Sequence, residues 1–237
     1  MRGRAVRRAL VVGAARGIGR ATASALAAAG HRVTGTWHRT EPADGADGVT
    51  WARCDTTDPA SVDEVFAAAA DDPYDVVVAN AAVVRDRLSS RMTDEDFAAV
   101  VDVNLAGTFR VARAALAPMA SRRWGRLVLV SSVGGWHGNA GQANYAAAKS
   151  GQLGMARALA REVGPRGVTV NVVAPGAVAT ELIEAMSPRL QERWRAQVPA
   201  QRMGTPDEVA SAVAFLASDA AAHVTGALVP VDGGWLA

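Results

Sequence analysis

The chain is short of three residue types, and each shortage excludes something. Of its 237 residues one is cysteine, Cys54, so an intrachain disulfide is impossible and a zinc cluster built on cysteine is not expected. Two are tyrosine, Tyr74 and Tyr145. One is lysine, Lys149, although the chain carries 24 arginines. Long apolar runs are also missing: none reaches the roughly 20 residues of a membrane-crossing helix. The apolar stretch behind the first arginines is short and leads into a glycine loop, unlike a secretory signal. Neither a membrane nor a metal is expected as a partner, and a cytoplasmic location is the default. Net charge is only +2, and no aromatics alternate with the arginines, so nucleic acid is not expected either. The opening "MRGRAVRR" reads as a solvated tail entering the first strand.

What is present is an alternation. Half the residues are hydrophobic and a fifth charged, which suits a globular chain with a sizeable core. Short Val-rich runs at 8–13, 32–37, 49–55, 74–80, 125–132, 167–175 and 227–233 read as strands. Helical stretches at 21–30, 59–70, 93–119 and around 144–164 lie between them. Continuous apolar strands alternating with helices predict an α/β fold of about seven strands. We expect one doubly wound parallel sheet, a Rossmann-type fold over 1–237, with helices on both faces. Ligands of such sheets bind at the carboxyl ends of the strands, where strand order reverses.

The first such end carries "GAARGIG", with Gly13, Gly17 and Gly19 and with Arg16 and Ile18 between them. Glycines let backbone turn tightly against a pyrophosphate, which the following helix N-terminus attracts. The second strand ends in His38 and Arg39, with Arg16 in the loop nearby. A guanidinium there accommodates a 2′-phosphate, so NADPH/NADP+ is expected over NAD; Glu41 is the one opposing sign. Asp55 and Asn80 end strands where they can reach adenine and its ribose, or serve as turn and cap residues.

"NYAAAKSG" (144–151) places Tyr145 and Lys149 four apart, on one helix face. A phenol with a reference pKa near 10 is a poor acid–base group at neutral pH, and an adjacent ammonium lowers it. A compact ammonium can also hold ribose hydroxyls, which a planar guanidinium does less well. That explains a lone lysine in an arginine-rich chain. Ser132, at the end of the fifth strand, can donate to a carbonyl and steady developing negative charge; Ser131 is the adjacent alternative. Asn104 sits mid-helix, where asparagine is poor; it either holds a relay water or bends the helix. Trp136 suits an apolar wall for an acyl chain or plain packing. His137 lacks partners at triad or ligand spacing. Leu182, Ile183, Met186 and Trp194 lie in a segment, 181–203, that reads as a cover over the substrate.

Together these residues resemble the short-chain dehydrogenase/reductase family over essentially the whole chain. The matching pieces are "GAARGIG", "NAA", "VNLAG", Ser132, Tyr-x-x-x-Lys and "APGAVAT". "GQANYAAAKSG", "LAREVGPRGVTVNVVAPG", "VAFLASD" and "VDGG" look more narrowly like its β-ketoacyl-[acyl-carrier-protein] reductases. The resemblance implies reduction of a carrier-bound β-ketoacyl thioester by NADPH, in fatty acid or polyketide synthesis. Tyr145 would be the acid, Lys149 its modulator and ribose ligand, Ser132 the carbonyl donor and Asn104 the holder of a relay water. Val178 would touch the carboxamide and Thr180 the phosphates; Trp136 and Met186 are substrate candidates on the residues alone, suited equally to an apolar acyl chain and to ordinary packing. Arg123 and Arg166 match positions that dock an acidic acyl carrier protein. A homotetramer is implied through the helices at 106–122 and 144–164 and the last strand. Two positions depart from the pattern: Val12 stands for a threonine and Ala82 for a glycine. The other readings are a general ketone or alcohol oxidoreductase on the same scaffold, or a non-catalytic NADP-binding regulator.

Overall fold

The computed structural model describes residues 6–42, 48–181 and 187–237. Seven strands form one parallel sheet: β1 (Arg8–Val12), β2 (Arg32–Trp37), β3 (Val49–Arg53), β4 (Val76–Ala79), β5 (Gly125–Val130), β6 (Val168–Pro175) and β7 (Leu228–Val231). Their order is β3-β2-β1-β4-β5-β6-β7, so the chain reverses direction across the sheet between β1 and β4. That crevice is the switch point where a ligand is accommodated.

The inner strands β1, β4, β5 and β6 are buried on both faces because each face is covered. One face carries Leu10, Val77, Leu127, Leu129 and Val170 into a core shared with Val62, Val111, Leu116 and Leu153. These come from helices α2 (Pro59–Ala67), α4 (Thr108–Arg122) and α6 (Ala143–Val163). The other face sends Val11, Val78, Val128 and Val173 against Leu26, Val209, Val213 and Leu216. Those lie on α1 (Gly17–Ala28) and on a helix at Pro206–Ala217. That last helix was not expected from periodicity, yet its start is well signalled: Thr205 and Glu208 form a reciprocal cap, with Pro206 at the first turn. We number it α8, after α5 (Gly134–His137) and α7 (Pro188–Arg195).

Most expected elements are present and slightly shorter. The exception in placement is α1, which begins at Gly17 inside the glycine loop and not at Ala21. The 93–119 stretch is α3 (Asp94–Val101), a π-helical turn (Asp102–Gly107) and α4. Thr93 caps α3, its side chain accepting from Asp96 N. The arginines at the N-terminal edge are partly used by the fold: Arg7 stacks on Trp124 at 3.9 Å, and Arg8 Nη1 donates to Asp72 O. No described helix is long and apolar enough to cross a membrane.

Candidate active site

The glycine loop is cut to fit close backbone. Gly13 has φ +79°, and a Cβ there would stand 2.7 Å from the Ala81 Cα. A Cβ on Gly19 would overlap the Gly13 carbonyl oxygen. Asn80, which reads as an adenosine contact or a turn residue, donates with Nδ2 to Gly13 O at 2.8 Å, tying β4 to the loop. Gly13 N in turn donates to Thr36 Oγ1 at 3.0 Å. These two ties hold the loop where Val12 lacks a hydroxyl. α1 opens with no side-chain cap and no acid in its first turn, so its N–H groups stay available to an anion. Gly17 faces Thr180, whose methyl would lie 3.4 Å from a Cβ on the glycine. Val178 is buried and bridges Gly204, which fixes the backbone leading to Thr180.

The far end of the crevice is basic and partly paired. His38 Nε2 lies 3.1 Å from Asp55 Oδ2. Burial alone would raise the Asp55 carboxyl; hydrogen bonds from Thr57 and the nearby His38 and Arg53 bring it below its ordinary value. Arg39 is exposed, and Arg16 stands 4.0 Å from Glu181. Arg53, which the sequence did not single out, reaches His38 O with Nε at 3.4 Å and adds a cation here. Ala82 is exposed at the crevice edge.

At the carboxyl end of β5 the two serines separate. Ser131 is buried and its hydroxyl donates to Lys149 O at 2.8 Å, a packing role. Ser132 faces the other way: its Oγ accepts from Gly134 N at 3.1 Å and shares a hydrogen bond with the Tyr145 phenol. Tyr145 is half-buried in the first turn of α6. Burial raises its phenol above the ordinary value, more than the Ser132 bond lowers it, and Asp86 pushes it further up. This corrects the expected direction. Lys149 is 2% exposed and its Nζ donates to Val130 O at 2.8 Å, 5.6 Å from the Tyr145 ring centre, not to the phenol. Burial pulls its ammonium down to about 7. Both shifts follow from burial, which favours the uncharged forms of the phenol and the amine.

Asn104 is completely buried in the π-turn. Its Oδ1 accepts from Val83 N at 2.8 Å and its Nδ2 donates to Val83 O at 2.9 Å. Its side chain thus holds the strand-end segment and is not free to hold a water. Its carbonyl accepts from Thr108 Oγ1 at 2.8 Å and Gln152 Nε2 at 2.7 Å. Two structural residues escaped sequence reasoning. Asn144 accepts from Tyr145 N with Oδ1 and donates to Arg85 O and Asp96 O, placing the start of α6. Gln152 is completely buried. Nothing in a single sequence separates such amides from surface ones; the only signal is their position on the inward face of an amphipathic helix.

Trp136 is partly buried and packs against the core cluster that includes residues of α6. A second aromatic group on this side joins His137, 5.7 Å from Trp235, and Trp194 of α7, 6.3 Å from Trp235. Leu182, Ile183 and Met186 lie outside the described residues. Arg123 and Arg166 are neighbours, with Arg123 Nη2 donating to Pro165 O at 3.2 Å. They precede β5 and β6, at the opposite end of the sheet from Ser132.

Comparison with known proteins agrees with this geometry. A family model described as enoyl-(acyl carrier protein) reductase matches residues 13–236. The 3-oxoacyl-[acyl-carrier-protein] reductase FabG of Escherichia coli is 46% identical over 234 residues, 95% of this chain and 96% of that protein. The 3-oxoacyl-[acyl-carrier-protein] reductase MabA of Mycobacterium tuberculosis is 45% identical over 230 residues, 96% of this chain and 92% of that protein. A solved structure from Agrobacterium tumefaciens, proposed to be a gluconate dehydrogenase, superposes with a TM-score of 0.92 at 30% identity, covering 98% of this chain and 96% of that one. With the glycine loop at the switch point and Ser132, Tyr145 and Lys149 gathered at the end of β5, the chain belongs to the short-chain dehydrogenase/reductase family.

Proposed function

We propose that the protein is an NADPH-dependent reductase of β-ketoacyl thioesters carried on an acyl carrier protein. The observation that carries this reading is the gathering of Ser132, hydrogen-bonded to the Tyr145 phenol, and the buried Lys149 at the end of β5. The 45–46% identity to two 3-oxoacyl-[acyl-carrier-protein] reductases names the substrate class.

The residues present fit the dinucleotide. The loop at Gly13, Gly17 and Gly19 leaves no room for a Cβ at Gly13 or Gly19, and the open N-terminus of α1 suits a pyrophosphate. Ile18 and Thr180 close the same loop. Arg16, Arg39 and His38, joined by Arg53, would take the 2′-phosphate, and Asp55 the adenosine edge. The backbone at Val178 would meet the carboxamide. NADPH, when bound, supplies hydride to the β-carbonyl carbon. Ser132 donates its hydroxyl hydrogen to the carbonyl oxygen and fixes its position. Tyr145 gives the same oxygen a proton. Lys149 spends one of its three donors on Val130 O, leaving others free to reach a ribose hydroxyl, while its charge supports the phenolate that forms.

The acyl carrier protein would dock by its acids on Arg123 and Arg166. Because these stand at the far end of the sheet from Ser132, such docking serves the site of a neighbouring subunit in an oligomer. A homotetramer is supported by the exposed Val83, Val84, Leu88, Phe97 and Phe109, an apolar set on and around α3 and α4. Fatty acid synthesis in the cytoplasm is the setting we propose.

Steady-state NADPH oxidation with an acetoacetyl thioester tests the reading. Turnover is expected, with Tyr145→Phe reducing it on the order of 10²–10⁴-fold while NADPH binding persists. A folded sample that binds NADPH and reduces no β-keto thioester overturns it.

A further inference from the structure

Gln152 is completely buried on α6, three residues after Lys149. Its Nε2 donates to Asn104 O at 2.7 Å and to Thr108 Oγ1 at 3.2 Å. Its amide orientation is settled by these contacts, because the flipped form would set two acceptor oxygens against each other. The other end, Oε1, is buried and has no hydrogen-bond partner. An orphaned buried amide oxygen is costly and calls for a donor.

A donor with spare protons lies one turn back. Residues at i and i+3 share a helix face, and helical side chains lean toward the N-terminus, so Gln152 leans toward the turn of Lys149. The Lys149 ammonium has three protons, of which Val130 O takes one. An orphan acceptor and an under-used donor are therefore carried one turn apart on the same buried face of α6. The Asn104 carbonyl does not serve that donor, since Thr108 and Gln152 already occupy both its lone pairs.

We propose that Gln152 is a positioning residue for Lys149: its carboxamide oxygen accepts, through one bridging water, a hydrogen bond from the Lys149 ammonium, while its NH2 anchors the Asn104 carbonyl. Gln152 thereby takes over the place expected of a relay through Asn104. It holds α6 to the π-turn and supports the lysine charge that the proposed reduction needs, so the inference rests on the reading of Lys149 given above. The groups that face Lys149 are few. On α6 the titratable neighbour is Tyr145, and Asp86 acts on that phenol from the segment after β4. The end of β5 offers neutral Ser131 and Ser132. The π-turn offers Asn104, its Asp102 being paired to Arg110 at 2.8 Å.

The single lysine makes the test direct. Incorporation of [15Nζ]lysine labels one side chain, whose pH titration by NMR reports Lys149 without any turnover. Gln152→Leu is expected to lower the Lys149 pKa by about one unit, and Gln152→Glu to raise it by at least as much. The alkaline limb of kcat with NADPH and an acetoacetyl thioester should move the same way. In Gln152→Leu kcat at neutral pH should fall about tenfold with the KM for NADPH within about twofold. Should Gln152→Leu not fold, Gln152→Met keeps the length and removes the amide for the same comparison. A Lys149 titration unchanged in the Leu or Met variant overturns the proposal, even where stability drops. If the unaltered protein turns over no β-keto thioester, the functional reading falls while the NMR titration still decides Gln152.

Discussion

Two cations are buried along β5, one toward each end, and they are kept differently. Arg126, near the start of the strand, is 2% exposed and well supplied with partners. Its guanidinium donates to the carbonyls of Ser218, Gly125 and Gly167, lies over the Trp124 ring at 4.3 Å, and stands 3.8 Å from Asp219. Burial lowers its pKa, Asp219 restores part of that and Arg7 lowers it again, but a guanidinium stays charged throughout. Lys149, over the end of the same strand, is equally buried and has one carbonyl, Val130 O. Burial takes it down to about 7. The well-partnered cation fastens loops; the under-satisfied one is held in readiness for a ligand. The residue types follow: five fixed donors suit a crowd of carbonyls, and a titratable ammonium suits a site that must take up new partners.

The largest expected way to break this contrast is Lys149→Arg. The larger planar head cannot enter the same pocket, and kcat for β-keto thioester reduction should fall on the order of 10²–10⁴-fold. Full activity in that variant would contradict the reading of the lone lysine. Arg126→Met leaves three carbonyls without their donor. It should cost about 3 kcal/mol in denaturant unfolding, with kcat per folded molecule unchanged. A loss below about 0.5 kcal/mol would show that water replaces the guanidinium freely.

The third effect has the opposite sign. Lys149→Met should stabilise the protein by about 1–2 kcal/mol at pH 6 while abolishing turnover. Below pH 7 the folded and unfolded chains both carry the charge, so the folded one bears the full burial cost. Between about 7 and the ordinary 10.5 the unfolded chain holds the extra proton, so stability rises with pH and the advantage of the variant shrinks. Melting temperatures of both proteins from pH 6 to 10 check this, and a pH-independent gap would refute it. The smallest expected effect is Asp219→Asn. Its carboxylate is 68% exposed and 3.8 Å from Arg126, so the change should cost below about 1 kcal/mol. A larger loss would move the hold on Arg126 from the carbonyls to the ion pair.

Tyr145, Lys149, Ser132 and the three glycines were legible because each has a local signature: an i,i+4 pair, a strand end, a glycine-rich turn. The amides and aromatics were less so. Asn80 and Asn104 were noticed, but their partners, Gly13 O and the backbone of Val83, lie 67 and 21 residues away. Trp136 reads from sequence as either wall or packing, and only its contact with the core shows the packing, because an indole suits both. α8 was missed although Thr205, Pro206 and Glu208 announce it, since the segment before it had been read as a cover.

The sequence by itself determined the alternation of strands and helices, the dinucleotide loop and the Tyr145–Lys149 pair, all of which follow from periodicity and spacing within a few residues. The tertiary structure alone decided which serine meets the phenol, where Asn104 spends its hydrogen bonds, and that burial raises Tyr145 and lowers Lys149. Those outcomes depend on how far water is excluded and on which distant backbone groups arrive, and neither is a local property of the chain.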